Sequence, residues 1–293
     1  MICTLSNGFL KVVVDTYGAQ LREVSTSDGT QFLWQGDSKY WSDSAPVLFP
    51  YIARLYDGAY TYNGKKYRMG IHGFAAQSEF QAENVSASSV TMVLCYTQKT
   101  LTQYPFRFNL SITYTICGTM LSVAYAIVNV DEKEMPFAIG GHPGFNVPFC
   151  KGTSFDDYLL TFSEECTPDR IGFTKELFLS GENKPYPLHN KRMIYLSHNL
   201  FDNDAIVLQN MAKSVTLSCG KSGTKLTVSY PNMPYLGIWH MPCTDAPYVC
   251  IEPWTSLPSR QGIVEELTCK SDLITLNPNE KYEIGWTLSI SEE

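Results

Sequence analysis

Two histidines in this sequence stand among glycines, where an imidazole could take part in proton transfer. His142 lies in the segment GGHPGFN at 140–146, and His72 lies in GIHGF at 70–74. Glycine and proline favour bent backbone, so we predict an exposed turn at 140–146 that leaves the ring uncovered. A histidine held there can give or take a proton, because its unperturbed pKa lies near neutrality. The alternative is a turn histidine bonded to a neighbouring carbonyl.

Glu252 is the carboxylate most suited to act with these imidazoles. It follows the apolar run at 248–251, and Pro253 comes next. Proline cannot donate to a β-ladder, so we predict that the strand ends there. By the two-residue period of a strand, Glu252 shares a face with Tyr248, Cys250 and Trp254. Such a carboxylate is either paired structurally or held half-desolvated in a pocket.

Arg54 and Asp204 complete the set of charged groups at strand ends or corners. Arg54 closes the apolar segment 44–54, which contains two prolines and therefore stays out of a central sheet position. Its guanidinium requires a carboxylate or a ligand oxygen, although a surface ion pair would also serve. Asp204 lies in the Asx-rich corner at 202–204, ahead of a strand. Together these groups suit proton transfer on a polyhydroxylated substrate.

The remaining histidines are weaker candidates for a functional site. His189 lies in a polar, irregular stretch and His198 lies among serine and asparagine, so both are predicted to be solvated. His240 alternates away from the face that bears Trp239 and is set aside.

The sequence lacks the motifs that mark several other kinds of catalytic or binding site. No H-x-H, H-E-x-x-H, C-x-x-C or G-x-S-x-G motif occurs, so metal binding and a serine triad are unsupported. No glycine-rich loop enters a helix, which argues against nucleotide phosphate binding. The nine cysteines are scattered, and Cys117, Cys219 and Cys250 are interpreted as buried apolar residues of a cytoplasmic protein.

Composition limits the partners. The net charge is -7 without a basic run, so nucleic acid is not an expected ligand. Neither a secretory signal nor an apolar run long enough to cross a membrane is present, so no membrane association is expected. The 293 residues are 44% hydrophobic and only 17% charged, with 18 tyrosines, 15 phenylalanines and 5 tryptophans. This composition favours a β-rich protein or a cleft with aromatic walls.

Short strands separated by turns recur about every ten residues, as in a β-sandwich or barrel. The clearest is 108–116, which alternates apolar and polar residues and turns at 117–120 into 121–128. Asn63-Gly64 predicts a type I′ hairpin within 59–69. Further strands are predicted at 9–14, 20–24, 31–35, 89–97, 158–162, 206–208, 214–219, 225–230, 235–240, 248–254 and 280–290. No helix longer than about two turns is evident, and we predict one all-β domain over residues 1–293.

The motifs in chain order resemble those of the aldose 1-epimerase, or galactose mutarotase-like, family. They are Arg54, IHGF at 71–74, HPGFN at 142–146, NDA at 203–205 and IEPW at 251–254. The resemblance extends over residues 7–290. It implies a large antiparallel β-sandwich, the supersandwich of this family, with a sugar cleft across one sheet. It also implies a cofactor-free isomerase that acts on a free monosaccharide as a monomer or homodimer.

The family resemblance also implies a role for each residue. Glu252 resembles the general base that takes the proton of the anomeric hydroxyl, and His142 resembles the general acid that protonates the ring oxygen. His72, Arg54 and Asp204 resemble substrate-binding residues. Either Trp254 or Trp239 could present a flat apolar surface to the sugar. For Trp239, core packing is the preferred interpretation.

The sequence departs from typical galactose mutarotases at the acid and at the base. Those enzymes place the histidine in Asn-His-Ser/Tyr-Phe-Asn, whereas this chain has Gly-His-Pro-Gly-Phe-Asn, as in a divergent bacterial branch. Pro-Trp follows the glutamate in place of Pro/Thr-Gln. A hexose-6-phosphate 1-epimerase, with Arg260 as a possible further cation, and a non-catalytic sugar-binding protein stay open as alternatives. A glycosidase would require Asp204 as the partner of Glu252.

Overall fold

The computed structural model describes residues 1–292, and β-strands dominate it. Glu293, the last residue of the predicted domain, lies outside the described residues. The strands are β1 (Ile2–Ser6), β2 (Leu10–Asp15), β3 (Gln20–Thr26), β4 (Val47–Leu48), β5 (Ala59–Tyr62), β6 (Lys65–Arg68), β7 (Gln81–Glu83), β8 (Ser89–Cys95), β9 (Phe108–Cys117), β10 (Met120–Asn129), β11 (Met135–Phe137), β12 (Gly140–Gly141), β13 (Gly144–Asn146), β14 (Tyr158–Phe162), β15 (Asp169–Arg170), β16 (Lys184–Pro185), β17 (Met193–Tyr195), β18 (Ile206–Gln209), β19 (Ser214–Cys219), β20 (Lys225–Ser229), β21 (Tyr235–Trp239), β22 (Tyr248–Trp254), β23 (Ile274–Leu276) and β24 (Lys281–Ser291).

Helical structure is short within residues 1–292. The α-helix α1 (Gln98–Gln103) begins at a capping box, in which Thr97 Oγ1 accepts from the Thr100 backbone N–H and the Thr100 hydroxyl accepts from the Thr97 N–H. The 3₁₀ segments are Tyr56–Gly58, Ala75–Gln77, Phe155–Asp157, His198–Phe201 and Leu267–Cys269. In this part of the chain, no helix has the length and apolar character that a membrane crossing requires.

The largest sheet has nine strands, in the order β17-β14-β19-β20-β24-β10-β9-β8-β7. Its longest pairing is the β9–β10 hairpin, in which Phe108 pairs with Asn129 at one end and Cys117 pairs with Met120 at the other. One face of both strands is buried because apolar residues alternate with polar ones, as the sequence predicts. β24 pairs with β10 along nearly its whole length.

A second sheet of eight strands carries the candidate site. Seven of them follow the order β16-β15-β18-β21-β22-β12-β4, and β13 also pairs with β22. β4 lies at one edge, as the two prolines of segment 44–54 predict. Alternate residues of the inner strands, such as Leu208, Ile238 and Ile251, join the main hydrophobic cluster with residues of the nine-stranded sheet. Glu252 and Val207 therefore lie on the opposite face of this sheet.

Local predictions have mixed outcomes. Asn63 and Gly64 have φ of 50° and 74°, which confirms the type I′ turn between β5 and β6. The predicted strand at 31–35 is wrong, because only isolated bridges at Gln31 and Leu33 form there. The strand expected to come first is the second, after β1. Cys117 is exposed and not buried, because it occupies the outward end of β9.

Candidate active site

The backbone register of β22 brings His142 and Glu252 together. β12 and β13 form two antiparallel pairings with β22, one on each side of His142. The paired residues are Gly140 with Trp254 and Gly144 with Cys250. Continuing this register places His142 directly opposite Glu252, where cross-strand side chains on one face are neighbours. The prediction that the strand ends at Glu252 is wrong, because Pro253 pairs with Leu236 and β22 runs on to Trp254.

The glycines around His142 serve close packing. Residues 140–145 are all buried, so the predicted exposed turn is wrong. A Cβ at Gly141 would lie 3.0 Å from Trp286 Nε1, and one at Gly144 would lie 3.0 Å from the Trp41 ring. Both contacts are tighter than ordinary van der Waals distances, so glycine lets the aromatic rings approach the backbone that carries His142.

His142 and Glu252 are nearly removed from solvent. Their exposed fractions are 9% and 1%. His142 Nε2 lies 3.2 Å from Glu252 Oε2, although the geometry is not that of a hydrogen bond. Within residues 1–292, His142 Nδ1, Glu252 Oε2 and Trp254 Nε1 have no hydrogen-bond partner. Buried polar atoms are normally paired, so these three atoms are left to bond with water or with a polar ligand that enters the cleft.

Burial shifts the pKa of both groups so that the neutral form of each is favoured. It raises the pKa of Glu252 well above its usual 4.5, and the Asp204 carboxylate adds to this effect. Burial lowers the pKa of His142 well below 6.5, and His72 adds to this effect. A carboxylate with a raised pKa is a stronger base, and an imidazolium with a lowered pKa is a stronger acid.

Aromatic rings surround His142. The Trp41 ring lies 4.9 Å from the imidazole at an interplanar angle of 33°, and the Trp239 ring lies 5.6 Å away at 83°. The half-buried Trp239 ring packs against a small buried cluster that contains Tyr248 and Cys250, as preferred from the sequence, and it also lines the cleft. The sequence analysis missed Trp41, which lies in an irregular loop without periodicity or a motif. Trp254 also lines the cleft.

His72 is held by two hydrogen bonds with the Ala53 backbone, one through its own backbone and one through its ring. The His72 N–H donates to Ala53 O at 3.0 Å, and the Ala53 N–H donates to His72 Nδ1 at 3.1 Å. Because Nδ1 is an acceptor, the ring proton is assigned to Nε2. Desolvation and the nearby Arg54 guanidinium lower the pKa of His72 to about 4. Both His72 and Ala53 have positive φ, of 62° and 56°, a conformation that non-glycine residues rarely adopt.

Gly73 explains why this loop can close over the sheet. Its φ is 78°, and a Cβ there would lie 2.1 Å from Phe49 O. Only glycine fits both the conformation and the space. The parallel bridge between Phe49 and Gly73 then fixes the segment that presents His72.

Arg54 and Asp204 reach the cleft from two different loops, Arg54 between β4 and β5 and Asp204 between β17 and β18. Arg54 is exposed, and within residues 1–292 its guanidinium has no ion-pair partner. Asp204, with φ of 68°, turns the chain into β18, and its Oδ1 accepts from the Ala205 N–H at 2.7 Å. Gly237 lies between Val207 and Glu252 in the sheet register, and a Cβ there would lie 3.2 Å from both Glu252 Cβ and the Trp254 ring, so glycine leaves room for the two side chains.

These groups line one cleft of about 290 Å³. All six residues singled out from the sequence contribute to it: Arg54, His72, His142, Asp204, Glu252 and Trp254. The cleft also includes Trp239, which the sequence left as an alternative to Trp254, and Trp41, Gln77 and Phe173, which the sequence analysis did not place there.

The other histidines lie outside the cleft. His189 is exposed, as predicted. His198 is not simply solvated, because its Nδ1 lies 3.2 Å from His240 Nε2 and its ring stacks on Phe155. His240 is fully buried and bonds through Nδ1 to Met241 O at 2.7 Å.

One group of side chains in residues 1–292 has the atom types of a metal site. Ligand atoms of His142, Cys250 and Glu252 lie within 4.8 Å of one another. Metal binding requires a thiolate, whereas burial and the adjacent Glu252 raise the pKa of Cys250 well above its usual value. These residues therefore suit a packed thiol beneath an acid–base pair better than a metal centre.

Comparison with known proteins places the whole chain in one group. The profile of the family described as aldose 1-epimerase matches residues 1–289. "Protein LacX, chromosomal" of Lactococcus lactis subsp. lactis is 32% identical over 297 residues, covering 97% of this chain and 99% of LacX. A solved galactose mutarotase related enzyme from Lactobacillus acidophilus has 32% identity and a TM-score of 0.95, covering 100% of this chain and 98% of its own.

A galactose mutarotase-like protein from Lactobacillus casei ATCC 334 has 30% identity and a TM-score of 0.94, covering 99% of this chain and 100% of its own. Together with the two large antiparallel sheets, these structures confirm the predicted fold class.

Proposed function

Because this chain belongs to the aldose 1-epimerase family, we propose that it interconverts the α and β anomers of a free aldohexose. In this proposal Glu252 is the general base and His142 is the general acid. The observation that carries it is the 3.2 Å approach of these two buried side chains, each with an unpaired polar atom, in a cleft of about 290 Å³.

The reaction begins with the anomeric hydroxyl at Glu252 and the ring oxygen at His142. Glu252 takes the hydroxyl proton while His142 donates a proton to the ring oxygen, so the C1–O5 bond breaks and an open-chain aldehyde forms. Rotation about C1–C2 presents the other face of the carbonyl. Closure with the two roles exchanged returns both protons and gives the other anomer. Acting on both oxygens of the hemiacetal avoids full charge on either one.

The pair carries the same number of protons before and after each turnover. Burial favours carboxylic acid with neutral imidazole, and shifting one proton within the pair gives Glu252 carboxylate with His142 imidazolium, the form that opens the ring. Ring opening returns the pair to carboxylic acid with neutral imidazole, and closure reverses that change. The low proton affinity of buried His142 and the high proton affinity of Glu252 bring the two forms closer in free energy. Neither form leaves a net charge in the buried pair.

The remaining cleft residues would hold the sugar. Arg54 and Asp204 are charged groups that can bind ring hydroxyls, and His72 offers its Nε2–H as a donor. Trp254 would place its unpaired indole N–H within reach of a hydroxyl. Fixing the ring in this way makes the two proton transfers effectively intramolecular.

The direct test is the rate at which freshly dissolved α-D-glucose and α-D-galactose reach anomeric equilibrium, followed by polarimetry or NMR. We expect acceleration by the wild-type protein. Glu252→Gln and His142→Asn should each lower the rate by about 10²–10⁴-fold, since each removes one positioned proton transfer. Failure to accelerate any of a panel of free aldoses would refute the proposal.

Matched controls separate chemistry from folding. His189→Asn and Glu283→Gln repeat the same substitutions at exposed positions and should keep the wild-type rate. Circular dichroism should show the same β signal for all four variants. A Glu252 or His142 variant that keeps the full rate loses its assigned role.

A further inference from the structure

The segment 255–259 directly follows β22, the strand that carries the proposed base. Pro258 lines the cleft, whereas Ser256 and Ser259 are buried. Because the segment pairs with no neighbouring strand, its buried backbone and hydroxyl groups need other partners. Ser259 finds them beside Arg54, and Ser256 finds them at an ion pair.

Ser259 holds the backbone at Arg54 through two hydrogen bonds. Its N–H donates to Arg54 O at 3.0 Å, and its hydroxyl oxygen accepts from the Tyr56 N–H at 2.7 Å. Its carbonyl accepts from the Leu179 N–H at 3.0 Å. Among the described residues 1–292, the Arg54 guanidinium has no ion-pair partner, so no carboxylate fixes its side chain. The place of Arg54 in the cleft therefore depends on the backbone that Ser259 holds.

Lys270 and Asp272 hold the start of the same segment. Asp272 Oδ1 forms an ion pair with Lys270 Nζ, and Asp272 Oδ2 accepts from the Ser256 hydroxyl at 2.9 Å and from the Leu257 N–H at 2.7 Å. Lys270 Nζ also donates to Ser256 Oγ at 3.2 Å. Lys270 is buried and Asp272 is partly buried, and charged groups in such surroundings need bonds to compensate for lost hydration. The Lys270–Asp272 pair thus favours one position of the backbone at Leu257.

This network suits positioning better than stabilisation. Replacing a buried ion pair by apolar residues of similar volume is often neutral for stability, so the pair is weak evidence of a stabilising role. Apolar residues cannot reproduce the directed bond from the Leu257 N–H to Asp272, which lies two residues before Ser259. That bond fixes where the chain enters Pro258 and Ser259.

Thr255 separates this segment from the proposed acid and base. Its hydroxyl donates to Ile139 O at 2.9 Å and accepts from the Ile139 N–H at 2.9 Å, and its own N–H donates to Ile139 O at 3.2 Å. These three bonds tie the end of β22 to the residue before β12. Glu252 and His142 should therefore keep their geometry when the chain beyond Thr255 shifts.

We infer that Lys270 and Asp272 are positioning residues for Arg54, and that they act through the segment 255–259. This inference rests on the proposed function, in which Arg54 binds sugar hydroxyls. Without the pair, Ser259 loses its fixed place and Arg54 no longer meets the sugar correctly. The two proton transfers are unaffected. Because the lost contacts hold the ground state and the transition state alike, KM rises while kcat stays the same.

The test measures kcat and KM for mutarotation of α-D-glucose or α-D-galactose, whichever the wild type accelerates more. The double variant Lys270→Met/Asp272→Leu removes both charges and leaves neither unpaired. We expect KM to rise about tenfold, as for the loss of one hydrogen bond to a charged group, while kcat changes less than about twofold. Lys281→Met/Glu283→Leu makes the same substitutions in an exposed ion pair on β24 and should change neither constant.

A double-mutant cycle with Arg54 separates positioning from a general structural role. Arg54→Met should itself raise KM. Adding Lys270→Met/Asp272→Leu to Arg54→Met should raise KM by less than about twofold more, because the effect of the pair passes through Arg54. Ser259→Ala removes the bond from the Tyr56 N–H without disturbing a buried charge, and it should also raise KM at constant kcat.

Four results would overturn the inference while leaving the proposed acid and base intact. They are an ion-pair variant that does not fold, a fall in kcat as large as the rise in KM, additive effects of the pair and Arg54, and an unchanged KM in the ion-pair variant, Arg54→Met or Ser259→Ala. A wild-type protein that accelerates no free aldose would instead refute the proposed function and the inference together.

Discussion

Replacing Glu252 by glutamine should change how stability depends on pH, with a sign that reports the charge state of the Glu252–His142 pair. Burial raises the pKa of Glu252 well above its usual 4.5. The folded chain therefore keeps the carboxyl proton at pH values where the unfolded chain has released it. A raised pKa stabilises the fold fully below the unfolded value and less as the pH rises. Above about pH 4.5, wild-type protein should lose stability relative to Glu252→Gln.

Proton linkage gives the size of this effect. While the folded state carries one more proton than the unfolded state, the wild type loses about 1.4 kcal/mol of unfolding free energy per pH unit relative to the variant. The difference levels off above the raised pKa of the folded state. His72 titrates in both proteins, and its contribution cancels to first order, so the difference reports Glu252 together with its coupling to His142.

The assay is urea unfolding of both proteins at intervals from about pH 4 to about pH 8, with free energies from linear extrapolation. Parallel curves would mean that Glu252 titrates as it does in the unfolded chain. A wild type that gains stability over the variant with rising pH would refute the reasoning, because it would show a carboxylate stabilised by imidazolium.

Three further predictions concern the surroundings of this pair. Gly237→Ala should slow mutarotation by about 10²-fold, because its methyl group would lie 3.2 Å from Glu252 Cβ and displace the carboxyl. The control is Gly220→Ala, whose methyl group meets nothing within 4 Å and should leave the rate unchanged. With its pKa lowered to about 4, His72 should show constant ¹⁵N ring shifts through the neutral range, and a titration midpoint near 6.5 would contradict its desolvation. Tyr125→Phe should lower the unfolding free energy by about 1–3 kcal/mol, since the buried Trp286 N–H loses its acceptor, and an unchanged urea midpoint would count against this.

The parts of the fold that follow from alternation were predictable. β9, β10 and β24 bury one face, so the two-residue period marks them in the sequence. Asn63-Gly64 marked its turn because both residues accept positive φ. The segment at 31–35 was wrongly predicted as a strand because its apolar residues pack into the core, while its backbone forms only isolated bridges and no ladder.

The site was predictable as a set of residues but not as an arrangement. The motif order indicated His142 and Glu252, whereas their opposition depends on the pairing of β12 and β13 with β22, a long-range register that no local pattern encodes. Trp41 was missed because its approach to His142 comes from the path of an irregular loop. The His198–His240 contact likewise joins residues 42 positions apart.

The proposed acid and base owe their spacing to main-chain pairing, whereas most of the proposed recognition groups are carried by connections. Arg54, His72, Trp41 and Asp204 all lie between strands and not in the ladders that set the His142–Glu252 distance. Insertions or exchanges in those connections can alter sugar preference while the proton-transfer geometry persists.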